Sequence, residues 1–471
     1  MTVVRTLIKD LAQKVGEEVL IKGWVDVRRD QGKMVFLDVR DASGKVQGVV
    51  LPGSASIDTA HELRTEWVVA VSGLIKARPE KNVKAGVMNG EIEMEILGIE
   101  VLNKSETPPF DITADTIGID ENARLKYRYL DLRSERMQKN VRARHLIQQE
   151  IRNYLIERDF TEIETPLLSA PTPEGSRSYI VPSRLWNGNF YSLPQSPQQY
   201  KQLLMVAGFE RYFQFARCMR DEDTRGDRQP EFTQLDLEMS FVTREEVMDL
   251  NEKLLIQIVE KLYPEKRIQA TPFPRMTYAE VMAKYGTDKP DIREDTSDPN
   301  LLAFLWVTDF PAFEETGADN VDGTGDWTFT HNPFTGVLDE SKEDFLEKKN
   351  IKNILSTQYD IVMNGYEIGG GGIRLHNSQE LRNVFEIMGY SHERIEANFG
   401  HMLEALGRGA PPHGGIAWGF DRLVMLLEKE PNIREVIPFA KTGEGKDLMM
   451  DAPSAVNAKQ LHELGIEIKK K

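Results

Sequence analysis

Cysteine is nearly missing from these 471 residues. Cys218 is the single one, so no intrachain disulfide can form and a zinc site built on cysteines is excluded. That scarcity suits a reducing compartment such as the cytoplasm. Long apolar runs are missing too. The longest, among them 67–71 and 423–427, fall far short of the roughly 20 residues that cross a bilayer and suit buried elements. Nor is there an excess of positive charge: 59 Lys and Arg stand against 75 Asp and Glu, a net charge of −16. This excludes a protein that coats nucleic acid non-specifically, but leaves room for docking one folded RNA through local basic patches. Internal repeats and low-complexity segments are also lacking. What is present is an ordinary soluble mixture, 40 % hydrophobic and 28 % charged, long enough for about two to four domains.

The N-terminal stretch carries Arg5, Lys9 and Lys14. A transit peptide would be acid-poor, and Asp10, Glu17 and Glu18 break that pattern. A short helix leading into the first strand is expected instead. Residues 1–105 hold five β-rich stretches, at 19–27, 34–39, 46–51, 67–74 and 92–102, with a helical candidate at 56–64 between the third and fourth. Alternation is clear from Met34 to Val39 and from Glu91 to Ile96. Five strands in that order predict an OB-fold barrel, which commonly binds single-stranded nucleic acid. Residues 106–134, with Pro108 and Pro109, read as a linker and hinge. From 135 onward, helices at 135–159 and 243–263 interleave with strands at 211–219, 233–241, 360–368 and 414–419. The expectation is an α+β domain over 135–471.

Two segments carry chemistry on their own residues. Arg220-Asp221-Glu222-Asp223-Thr224-Arg225 opens a loop of both signs between strand-like flanks, and Gln229 closes it. Planar guanidinium groups there suit phosphate, since each bonds two oxygens at once; ordinary ion pairs on a surface hairpin are the alternative. Gly414 to Gly419 make a small-residue strand, and Phe420-Asp421-Arg422 opens the next helix. A helix N-terminus favours anions, and an arginine adds charge; a packing turn is the alternative.

Together these segments resemble motifs 2 and 3 of the class II aminoacyl-tRNA synthetases, and Phe160 to Pro166 resembles motif 1, in the expected order. Within that class the chain is similar to the bacterial-type aspartyl enzymes. The matching residues are Arg124 to Arg133 at the hinge, Thr172-Pro173-Glu174-Gly175, Gln195-Ser196-Pro197-Gln198 with Lys201, Phe232 to Glu238, His331 to Thr335, and Asn364 to Gly371. The resemblance implies an OB-fold anticodon-binding domain and a catalytic domain on an antiparallel sheet flanked by helices. It implies aspartate–tRNA ligation with ATP as substrate and Mg²⁺ as cofactor, tRNA(Asp) as partner, no membrane, and a homodimer through motif 1. Whether tRNA(Asn) is a second acceptor stays open. An asparaginyl or lysyl synthetase, or a catalytically silent RNA-binding relative, are the rivals.

The resemblance also assigns roles. Arg220 is expected on the α-phosphate and the substrate carboxylate, and Arg422 on the γ-phosphate; these are the catalytic pair. Asp221, Glu222, Gln229, Glu367, Gly419, Phe420 and Asp421 complete the ATP set, Glu222 by accepting from the adenine amino group. Lys201 and Arg374 take the aspartate side chain, with Glu174, Gln198, Asp236 and His331 around the rest of it. Asp360 and Glu367 are the Mg²⁺ pair. On a single strand, seven apart, they would face opposite sides, so a bulge or twist is needed. Gly369 to Gly372 just before Arg374 reads as a close approach of ligand or backbone, with a flexible loop as the alternative. In the barrel, Phe36 is expected to stack on the central anticodon base and Gln47 to bond its edge, with Arg28, Arg29, Gln31 and Glu91 nearby; barrel core is the alternative for Phe36. The inserted domain usual in the bacterial enzymes is missing near 293–300, and Ala440 replaces a usual proline.

Overall fold

The computed structural model describes residues 4–171, 177–316 and 325–469. The chain divides into two compact units, Met1–Arg124 with Tyr129–Arg136, and Leu125–Arg128 with Met137–Lys471. Among the described residues no helix is long and apolar enough to cross a membrane.

The first unit is built on a closed barrel of five strands: β1 (Glu18–Gln31), β2 (Met34–Asp41), β3 (Gly44–Val50), β4 (Val68–Ala77) and β5 (Ile92–Asn103), in the order β1-β2-β3-β5-β4. A helix, α1 (Ile57–Glu62), sits between β3 and β4, as the sequence predicts. Alternation explains the closure. Along β2, Val35, Leu37 and Val39 are buried while Met34, Phe36 and Asp38 lie outward. The expected N-terminal helix is a 3₁₀ stretch, Ile8–Lys14, that buries Ile8 and Leu11.

The second unit is organised by an eight-stranded sheet. Its strands are β6 (Thr161–Glu162), β7 (Arg211–Met219), β8 (Glu231–Ser240), β9 (Arg275–Thr277), β10 (Phe304–Thr308), β11 (Tyr359–Met363), β12 (Tyr366–Ile373) and β13 (His413–Gly419). Their order is β9-β10-β11-β12-β13-β8-β7-β6. The six inner strands are antiparallel, as expected; the outermost pairs, β9 with β10 and β6 with β7, are parallel. One face is covered by α2 (Glu135–Ile156), α4 (Arg244–Leu262) and α7 (Phe420–Glu428) around Ile151, Leu254, Trp306 and Trp418. Thr243 caps α4, its hydroxyl accepting from the Glu246 amide while Glu246 reaches back to the Thr243 amide; such a box satisfies two helix-end donors that burial would otherwise strand. Helices α3 (Gln198–Val206), α5 (Ser378–Ile387) and α6 (His392–Leu406) complete the unit.

Residues 360–368 are not one strand. They form a hairpin, β11 turning into β12 at Asn364-Gly365, with an irregular register between Ile361 and Val362. Residues 286–300 connect the helix Tyr278–Tyr285 to the next strand without an inserted domain. Asp291, Asp295 and Asp298 each accept the amide two residues on, at 2.8–3.1 Å. These local bonds turn the chain tightly enough to close the gap.

Candidate functional site

The inner strands of the sheet present a row of directly opposed residues on one face: Asp360 on β11, Gly370 on β12, Ala417 on β13 and Asp236 on β8. Two acids thus stand three strand spacings apart, about 14 Å, with only small side chains between them. The space above holds a cavity of about 370 Å³. A side chain at Gly370 would put its Cβ 2.6 Å from Asp360 Oδ1. The run Gly369–Gly372 is therefore close-approach strand, not flexible loop.

One end of the cavity is a buried cluster of four charges. Lys201 Nζ lies 2.8 Å from Asp236 Oδ2 and 3.1 Å from Glu238 Oε2. Arg374 donates from Nε to Glu238 Oε1 at 2.9 Å and from Nη2 to Glu238 Oε2 at 3.3 Å. All four are at most 4 % exposed. The strand period brings Asp236 and Glu238 to one face, and Gly415 opposite Glu238 is obligatory, since its Cβ would meet Glu238 Oε2 at 2.1 Å. Burial alone would raise Glu238, but Arg374 and Lys201 outweigh it and hold the carboxyl down at about 2. For Asp236 burial wins over Lys201, and its carboxyl is pushed up to about 6. Its Oδ1 is buried with no hydrogen-bond partner among the described residues. Lys201 spends two of its three donors here, and Arg374 keeps Nη1 in reserve; neither side chain can accept a bond. This end accepts an anion beside the cations and a cation beside Asp236. Gln198, Ser196, Asn332 and His331 also line the cavity, and Asn332 donates to Gln198 at 3.1 Å. His331 packs edge-on against Phe310, ring centres 4.8 Å apart.

The other end is lined by Arg220, Glu222, Gln229, Phe232, Glu367, Gly419 and Arg422. Arg422 rises from the first turn of α7 and bonds Asp227 Oδ2 at 3.0 Å and the Glu367 carbonyl. Its Nε, the Nε of Arg220 and the Nε2 of Gln229 are buried without partners among the described residues. Orphaned donors converging on one space mark an acceptor-rich ligand, since each left unmade costs about 1–3 kcal/mol. Phe232 carries the Arg220 guanidinium 5.2 Å above its ring.

Asp360 and Glu367 both line the cavity. They stand on adjacent strands of a hairpin, not on one strand, and the bulge that the spacing called for is present: the register shifts between Ile361 and Val362, so that Glu367 opposes Val362 and shares the face of Asp360. Burial, and then the charge of Glu367, hold the Asp360 carboxyl well above its ordinary value, against a 2.7 Å hydrogen bond from Gln358 Nε2. Among the described residues no group of three or more His, Cys, Asp or Glu is arranged to hold a metal.

Three expected ATP contacts place their side chains outside the open lining or in structural bonds. The Phe420 side chain is core: it is fully buried and meets Phe215 edge-on at 5.2 Å. Asp421 lines the cavity, but both its oxygens are engaged, by Arg144 and by the Thr233 amide at 2.8 Å, so it anchors α7 to β8. Asp221 is exposed outside the cavity lining. Glu174 lies outside the described residues. Conversely, Glu238, Phe232 and Gln358 were not foreseen. The alternation Gln234, Asp236, Glu238 along one strand face was the available signal for the first.

On the barrel, Phe36 lies outward between buried Val35 and Leu37. Arg29 opposes it on β1, and Val49 on β3. Gln47 opposes Asp38 and accepts from Lys84 at 3.1 Å. Gln31 is at the exposed end of β1, and Glu91 is exposed just before β5. Arg28 does not join this face. It opposes buried Leu37 and donates to the carbonyl oxygens of His61 and Leu63, capping the end of α1.

Comparison with known proteins agrees with this geometry. The family model described as tRNA synthetases class II (D, K and N) matches residues 120–443, and the OB-fold nucleic acid binding domain matches 19–102. The aspartate–tRNA(Asp/Asn) ligase of Rubrobacter xylanophilus is 41 % identical, covering 97 % of this chain and 95 % of that protein. The aspartate–tRNA ligase of Oceanobacillus iheyensis is 36 % identical, covering 97 % of both. The first alignment runs over 581 positions, so at least 581 minus 471, or 110, are gaps in this chain, in keeping with a missing insertion. Among solved structures, a putative aspartyl-tRNA synthetase from Leishmania major aligns with TM-score 0.75 at 21 % identity, covering 93 % of this chain and 94 % of that one. An asparaginyl-tRNA synthetase from Pyrococcus horikoshii, complexed with asparaginyl-adenylate, aligns with TM-score 0.74 at 21 % identity, covering 94 % and 99 %. These likenesses speak for the fold. The sequence matches reach further, and on them this chain belongs to the class II tRNA synthetases of the D, K and N group.

Proposed function

We propose that the chain is an aspartate–tRNA ligase: it joins L-aspartate to the 3′ end of tRNA(Asp) at the expense of ATP. The observation that carries this is the buried cluster of Lys201, Asp236, Glu238 and Arg374. The cluster is neutral as built, and an incoming aspartate adds its ammonium next to the free oxygen of Asp236 and its side-chain carboxylate next to the unspent donors of Lys201 and Arg374. Asparagine would turn an amide NH₂ toward donors only, leaving buried hydrogens unmatched, at a cost of several kcal/mol. A cationic side chain would face two cations. The relatives named for aspartate support the same reading.

In the first step the aspartate α-carboxylate oxygen attacks the α-phosphorus of ATP and diphosphate leaves. In the second a hydroxyl of the terminal adenosine attacks the aspartyl carbonyl and AMP leaves. Both steps need alignment and charge neutralisation more than proton transfer. Arg220 neutralises the α-phosphate and the attacking carboxylate; Arg422 exchanges Asp227 for the γ-phosphate. Glu222, Gln229 and the Phe232 ring hold the adenosine end. Gln198 and His331 frame the amino acid. Asp360 and Glu367 would hold Mg²⁺, and the fit is electrostatic: two carboxylates crowded in a buried place need a cation, and phosphate oxygens and water complete the shell a hard divalent ion prefers. Bound there, the ion supplies further charge neutralisation on the phosphates.

Phe36, with Arg29, Gln31, Gln47 and Glu91 about it, forms the anticodon face. Leu146, Ile156, Leu167 and Leu168, all 47–57 % exposed around motif 1, support pairing of two copies there. The substrates suit the cytoplasm. Aspartate-dependent exchange of labelled diphosphate into ATP tests the reaction; exchange with asparagine and not aspartate would overturn it. Charging transcripts of tRNA(Asp) and tRNA(Asn) with labelled aspartate decides the second acceptor, which the relative named for both favours.

A further inference from the structure

Behind the amino-acid end of the cavity runs a chain of five hydrogen bonds. The Phe334 amide donates to Asn332 Oδ1 at 2.9 Å, and Asn332 Nδ2 donates to Gln198 Oε1 at 3.1 Å. Gln198 Nε2 donates to Gln202 Oε1 at 3.1 Å. Gln202 Nε2 lies 3.1 Å from His413 Nε2, and His413 Nδ1 lies 2.7 Å from the Pro411 carbonyl oxygen. Gln198 and Asn332 line the cavity, whereas Gln202 and His413 are fully buried behind it. The spacing of Gln198 and Gln202, four apart on α3, puts both amides on one helix face.

The two ends of this chain have fixed polarity. A backbone N–H only donates and a carbonyl oxygen only accepts. At the Pro411 end, Nδ1 of His413 must carry the hydrogen. Burial foremost lowers the ring's basicity, with Arg374 and His376 adding to it and Glu238 and the Pro411 carbonyl opposing. A neutral ring protonated at Nδ1 has a bare Nε2, which accepts from Gln202. Gln202 must then turn its oxygen to Gln198, and Gln198 its oxygen to Asn332. At the Phe334 end the amide demands the Asn332 oxygen, which gives the same direction. Every bond points one way, and turning over any amide breaks two of them at about 1 kcal/mol each.

We propose that His413 is a positioning residue for the amino-acid site: through Gln202, and from the side opposite the Phe334 amide, it locks which atom of the Gln198 amide, oxygen or nitrogen, is offered to the bound substrate. This rests on the reading of Gln198 as an aspartate contact. The His413 side chain does not line the cavity; its carbonyl oxygen accepts the Arg374 amide at 2.8 Å, a backbone bond that a side-chain substitution keeps. Its bare Nε2 keeps Gln202, and hence Gln198, from flipping, so the donor and acceptor left on Gln198 are already placed when aspartate arrives. Such preorganisation removes an ordering cost that binding would otherwise carry.

Two measurements test this. In the full-length wild type with ¹⁵N-labelled histidine, the His413 resonance, assigned by its loss in His413→Gln, should show a neutral ring protonated at Nδ1. A cationic ring or one protonated at Nε2 overturns the proposal. In diphosphate exchange, His413→Leu should raise the KM for aspartate about tenfold, with kcat and the KM for ATP within about twofold. His413→Gln should recover most of the loss, because an amide oxygen can stand where Nε2 accepted. An equal rise in both KM values, a fall in kcat alone, or failure of His413→Gln to rescue would each overturn it. If His413→Leu does not fold, Gln202→Met cuts the same chain one step nearer the cavity and carries the same expectation. A wild type without aspartate-dependent exchange would defeat the proposed function, while the ring's protonation would still decide the chain's direction.

Discussion

The amino-acid end of the cavity and the outer face of the barrel are both offered here as recognition surfaces, and they are built on opposite principles. In the cavity, Lys201, Asp236, Glu238 and Arg374 are almost wholly buried and already bonded to one another. On the barrel, Phe36 is partly exposed, and Gln31 and Glu91 face water. A small ligand distinguished from its analogue by one charge must be read where water cannot answer for the missing charge, since burial magnifies every unmatched group. Bases arriving on a large RNA bring their own area and need only a stacking platform and a few edge contacts. Depth therefore sets how much each side chain is worth, and which property its loss disturbs.

That contrast can be broken in several ways. The largest effect is expected from Arg374→Leu. It leaves Glu238 buried with one cation fewer, so unfolding in urea should show a loss of about 3–5 kcal/mol, and aspartate-dependent exchange should fall by about 10³ or more. A stable, active variant would show that the cluster is not the specificity element. Asp360→Asn should lower exchange about 100-fold and raise the magnesium concentration needed for half-activity. Because burial and Glu367 already disfavour the Asp360 charge, the free protein should lose little stability, in contrast to Arg374→Leu; urea unfolding checks this.

Phe36→Ala should weaken tRNA binding by about 1–3 kcal/mol and leave diphosphate exchange untouched, as filter binding and exchange on one preparation would reveal. Equal losses in both would erase the division of labour. The smallest effect concerns pH. Asp236 has its pKa raised from 3.8 to about 6, so the folded protein holds a proton that the unfolded chain has released between those values. The free protein thus loses that margin of stability as pH rises through about 6. Aspartate binding runs the other way, since its ammonium needs Asp236 ionised. Its KM should rise about fivefold from pH 6 to pH 5, and Asp236→Asn should flatten the profile.

Much of this was readable residue by residue. Val35 and Leu37 alternating with Phe36 foretold the barrel strand, and the 211–219 strand and the α4 helix match expectation within a few residues. The Lys201 and Arg374 pair was found by resemblance alone, and the fold brings it to one pocket. What was not readable shares a cause: a linear pattern cannot show a turn between two short strands or which way a side chain points. Asn364-Gly365 splits 360–368 into a hairpin, and the register shift within it, the bulge the spacing called for, brings Glu367 to the face of Asp360. Phe420 and Asp421 flank Arg422 in sequence, yet a helix separates neighbours by 100°, and their side chains serve packing and anchoring. Arg28 adjoins Arg29 but points to the other side of its strand, as period two requires.

By itself the sequence determined the elements, their order, and the residue types able to bind a triphosphate, an anion and a base, because periodicity and side-chain chemistry are local properties. Only the tertiary structure decided which of these meet. Glu238 bridges two cations contributed by a helix and by the residue just after a strand, and His413 meets Gln202, 211 residues away along the chain, and through it Gln198. The state of a buried group depends on who its neighbours are and on how much water is excluded. Both are settled only when the strands register and the cavity closes.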